Sequence, residues 1–60
     1  MVNINLPLTD QEAQDLAQLV KRFGFTDAKN NAVDEVEAQR MIDVIVKIQQ
    51  ALANVGFQPR

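Results

Sequence analysis

The sequence predicts a mainly α fold: a short N-terminal β-strand, then a two-helix antiparallel hairpin dimerised through its long C-terminal helix. Three observations carry this expectation. Residues 2 to 8 alternate apolar and polar side chains, the period of a half-buried strand. Two capping signatures, Thr9 with Glu12 and Asp34 with Glu37, open stretches of helical apolar period. No glycine or proline interrupts residues 35 to 55, and the apolar stripe there is wider than one short partner helix covers. At 60 residues the chain makes a single domain, 1–60.

The strand is expected over residues 2–8. Val2, Ile4, Leu6 and Leu8 share one side, with Asn3, Asn5 and Pro7 on the other. Pro7 cannot donate to a ladder, so it belongs at the strand end or on a free edge. One strand with one apolar face is not stable alone. It needs either the C-terminal tail or its own copy in a second chain.

The first helix is expected over 10–23. Thr9 and Glu12 form a capping box, and acids at 10, 12 and 15 with Lys21 and Arg22 suit the helix dipole. Ala13, Leu16, Ala17, Val20 and Phe23 step by three and four residues and make one apolar stripe. Gly24 suits the left-handed position after the helix, with Phe25 folding back on it. Residues 24–34 read as a loop or short turn. Thr26 or Asp27 can cap a turn, but Asn30-Asn31 favours a loop.

The long helix is expected over 35–55, with Val33 and Ala38 as its hydrophobic staple. Gly56-Phe57 ends it, and Gln58-Pro59-Arg60 is a short tail. Its apolar residues fill an arc of roughly 220° at about 100° per residue. Met41, Ile45, Ile48, Leu52 and Val55 lie mid-arc and should face Leu16, Val20 and Phe23 in the hairpin core. Ile42, Val46 and Ala53 lie at the far edge and should meet a second subunit or a foreign partner. Asp43 and Lys47 are spaced as an i,i+4 ion pair on the polar side. Leaving Ile42 or Val46 wet forfeits roughly 1.5–3 kcal/mol each relative to full burial. So small a core rarely supplies more than about 3–5 kcal/mol. A homodimer is therefore expected.

The composition narrows function. Cys, His, Ser, Tyr and Trp are all missing, which removes the usual nucleophiles, the usual general base and the soft metal ligands. The expectation is a non-enzyme with no catalytic residues, no cofactor and no metal. Asp27, Asp34, Glu35 and Glu37 form an acidic cluster without the spacing of a calcium loop; they read as helix N-terminal acids. Lys21, Arg22 and Lys29 are the basic cluster, and bases are expected at a helix C-terminus in any case. No apolar run approaches the roughly 20 residues that span a bilayer. The first residues lack the basic and apolar regions of a secretory signal. The expected location is the cytoplasm, without membrane contact.

Two resemblances bear on function. A strand, then Leu6-Pro7-Leu8-Thr9-Asp10-Gln11-Glu12, then a helix closing on Lys21-Arg22-Phe23-Gly24-Phe25-Thr26 resembles the first half of ribbon–helix–helix repressors. That resemblance implies a dimer whose paired strands enter the DNA major groove. Asn3 and Asn5 would then read bases, and Thr26 would sit near a phosphate-clamping helix N-terminus. The chain departs from that family in having no Arg or Lys in the strand, a late long helix and a net charge of −2, whereas DNA affinity needs several cations. The second resemblance rests on Leu16-Ala17-Gln18, Lys21-Arg22-Phe23-Gly24-Phe25, Ala32-Val33-Asp34-Glu35, Glu37-Ala38, Ala51-Leu52-Ala53 and Gly56-Phe57-Gln58-Pro59-Arg60. This layout is similar to short uncharacterised bacterial proteins of prophages and plasmids, and implies an accessory protein of a mobile element. The leading expectation is a small homodimeric interaction protein that regulates by binding another protein. A ribbon–helix–helix-like DNA-binding transcriptional regulator is the alternative.

Overall fold

The computed structural model describes residues 1–58 as three helices, α1 (Asp10–Arg22), α2 (Phe25–Asn31) and α3 (Glu35–Asn54). A mainly α fold stands. The N-terminal strand and the two-helix hairpin do not, since the described residues hold no β-strand and a third helix sits between the two expected ones.

The strand fails for want of a partner. Val2 and Ile4 are exposed, and so are Asn3 and Asn5 on the other side of the same segment. The alternation is present, but no second strand turns it into a ladder. Residues 2–8 run instead as an exposed arm without regular secondary structure. Pro59 and Arg60 of the expected tail lie outside the described residues.

The caps of α1 and α3 are local and close as their sequences dictate. Thr9 Oγ1 accepts from the Glu12 N–H at 3.1 Å, and Glu12 Oε1 accepts from the Thr9 N–H at 2.9 Å. Asp34 Oδ1 accepts from the Glu37 N–H at 2.8 Å, while Glu37 Oε1 accepts from the Val33 N–H at 3.1 Å. Val33 itself is exposed and does not staple Ala38.

The turn between α1 and α2 differs from the expected one. Gly24 is extended, at φ −98 and ψ −178, and caps α2 rather than closing α1 in the left-handed region. Asp27 Oδ2 accepts from the Gly24 N–H at 2.8 Å. Phe25, expected to fold back, is instead the first residue of α2.

Both shorter helices pack on α3 and, among the described residues, not on each other. The contact of α2 with α3 accompanies full burial of Ala28 and Ala38, small residues that let helices approach closely. On the α1 side, Ala13, Ala17 and Val20 join Leu52 in the core, flanked by Leu16, Ile45, Ile48 and Phe57.

The end of α3 is a Schellman motif. The Phe57 N–H donates to the Leu52 carbonyl at 2.9 Å, and the Gly56 N–H to the Ala53 carbonyl at 3.0 Å, with Gly56 at φ 92. This corrects one core expectation. Val55 is the cap residue, outside the helix proper, and is 69% exposed. The chain reverses at Gly56 and brings Phe57 back against the core in its place.

Candidate interaction surface

The three helices form a slab of 34 × 29 × 15 Å. Its thinnest dimension matches one pair of packed helices, whose axes lie about 8–10 Å apart, so the core between them is thin. Accordingly, no large side chain among the described residues is fully buried.

Part of the exposed apolar surface lines a groove of about 770 Å³. The arm supplies one wall with Val2, Ile4, Leu6 and Leu8; α1 supplies Ala13 and Leu16. The flank of α3 supplies Val44, Ile48, Ala51 and Leu52, continued by Val55 and Phe57. Asp10 and Lys47 are the charged residues of the lining. Lys47 stands there without the expected Asp43 ion pair: Asp43 Oδ1 accepts from the Gln39 side-chain amide at 3.1 Å. The sequence reading missed this groove. Its one signal in the sequence is the arm's apolar alternation, which by itself predicts a strand.

The expected hairpin core is brought together in part. Leu16, Val20, Ile45, Ile48 and Leu52 meet in the α1–α3 contact. Phe23 and Met41 are half-buried outside that cluster. At the expected interface edge Ile42 is half-buried, whereas Val46 and Ala53 are exposed. Val46 and Ala53 line a shallower depression with Gln49, Gln50 and Gln58.

The residues singled out for DNA lie apart from any strand. Asn3 and Asn5 are on the exposed arm, and Thr26 is exposed in the first turn of the seven-residue α2. The acidic cluster is spent locally: Asp27, Asp34 and Glu37 accept from backbone N–H groups, and Glu35 meets Lys29 at 3.5 Å. Among the described residues, no group of three acids is placed to hold a metal ion. Glu12 is held below its usual value of 4.5, first by the Thr9 backbone N–H and then by the Thr9 side chain. Among the described residues, no helix is long and apolar enough to cross a membrane.

The sequence matches, over residues 1–60, a family described as a family of unknown function, DUF7706. The chain belongs to that family. The DUF7706 match spans the arm, the three helices and the tail, so groove and fold fall within one family unit. No curated protein matches the chain, and no solved structure does.

Proposed function

We propose that this DUF7706 chain is a small, non-enzymatic, homodimeric interaction protein that acts in the bacterial cytoplasm by binding another protein. Its setting is that of an accessory or regulatory protein of a prophage or plasmid, in keeping with the resemblance of its sequence to such proteins. The observation that carries the reading is an apolar groove lined by the arm, α1 and α3, on a chain with no large side chain fully buried among the described residues. An apolar surface of this extent on so small a chain marks an interaction site. The residue set supports the same reading, because it lacks the side chains from which most active sites are built.

The edge of α3 bearing Ile42, Val46 and Ala53 is the proposed contact for the foreign protein. Capture with the chain as bait tests it, with Val46→Lys run in parallel. The expected result is one defined partner, identified by intact mass, that Val46→Lys loses. Salt-sensitive binding of duplex DNA, with no protein retained, would instead favour the DNA-binding regulator.

A further inference from the structure

We propose that the groove between the arm and the α1–α3 pair is where a second copy of this chain seats. This rests on the homodimer reading and assigns its surface.

The amount of surface argues for a copy. A compact monomer of 6.7 kDa exposes roughly 3,900 Å². This chain exposes 4899 Å². The excess, about 1,000 Å², is close to the roughly 800 Å² that each partner buries in a standard stable interface. The radius of gyration agrees: it is 12.3 Å, where a compact chain of this length has roughly 10 Å. Seating two copies groove to groove covers the apolar side chains that line it.

The chemistry of the lining argues for the same occupant. A two-fold contact uses one patch twice, so the patch must be complementary to itself. This lining is apolar apart from the arm's Asn3, Asp10 and Lys47. One acid and one base on the same patch can pair with their opposites across a two-fold axis. A strongly charged foreign partner would find no charge imbalance there to recognise.

Val44 and Val46 separate the two surfaces of α3. Both are exposed, at 53% and 44%, and they project about 160° apart at roughly 100° per residue. Val44 lines the groove and Val46 the opposite depression. A lysine at either position stays in water in the isolated fold, so helicity should survive in both variants.

Light-scattering masses and dissociation constants of the wild type, Val44→Lys, Val46→Lys and Ile4→Asp test the assignment, with far-UV circular dichroism confirming the fold. Ile4 lies on the arm outside every helix, so Ile4→Asp cannot act by breaking one. The expected result is that wild type and Val46→Lys run at twice 6.7 kDa, whereas Val44→Lys and Ile4→Asp dissociate at least tenfold more readily. Loss of dimer in Val46→Lys alone, or in none of the three, would overturn the groove assignment and leave the homodimer reading standing. A wild type at 6.7 kDa would overturn the homodimer reading itself.

Discussion

The side-chain amide of Gln49 on α3 donates to the backbone carbonyl of Val20 on α1 at 3.3 Å, in a partly buried position. The bond follows from the turn beside it. The helical donor for Val20 O would be the Gly24 N–H, but that group is bound to the Asp27 carboxylate at 2.8 Å. Asp27 starts α2 at the cost of an orphaned carbonyl in α1, and α3 supplies the missing donor. Gln49 thus ties α3 to the end of α1, beside the turn that starts α2.

Replacing Gln49 with Met keeps the volume and removes the donor. The expected loss is about 1 kcal/mol, the usual worth of one such bond. For so small a domain that lowers the melting midpoint by roughly 4–8 °C. Thermal unfolding followed by circular dichroism reads it directly, and an unchanged midpoint would show that water replaces Gln49.

The two glycines should respond in opposite ways. Gly56 sits at φ 92, where an L-residue is strained by roughly 1–2 kcal/mol, so Gly56→Ala should destabilise by that amount despite open space around it. Gly24 has extended backbone, and an added Cβ would meet only Asp27 Oδ2 at 3.8 Å. Gly24→Ala should therefore lie within about 0.5 kcal/mol of wild type, the lower entropy of the unfolded chain offsetting a poorer cap. Denaturant midpoints of the two variants, side by side, check the contrast.

Glu12 gives a pH signature. Its carboxyl is held below 4.5 in the folded chain by the Thr9 backbone N–H and side chain. A depressed folded value means stability that is present above the unfolded value and lost as pH falls through the folded one. Glu12→Gln can still accept from the Thr9 N–H through its amide oxygen, but it does not titrate. The variant's stability should therefore fall less steeply than wild type below pH 4.5. Parallel curves would remove Glu12 from the acid limb.

These contrasts follow how much of the fold was legible in the sequence. The caps at Thr9–Glu12 and Asp34–Glu37 were readable because each is closed by residues three apart. Asn30-Asn31 discourages a helix locally, so the sequence predicts a loop or turn where α2 forms. What holds it is the Asp27 bond to Gly24 and the complete burial of Ala28, and the second of these is a tertiary effect outside any local pattern. Val55 was placed in the core by helical spacing that ends one residue before it. The groove was hidden for a related reason: the arm's alternation records an apolar surface, and sequence spacing alone does not say what that surface meets.

A second copy seated in the groove completes a core that one copy leaves thin. Folding and association are then coupled, and the thermal midpoint must depend on protein concentration. The measurement is thermal unfolding of the unaltered chain over a hundredfold range of concentration. The midpoint should rise by roughly 10 °C across that range. A midpoint independent of concentration, with a sedimentation mass of 6.7 kDa throughout, would contradict it.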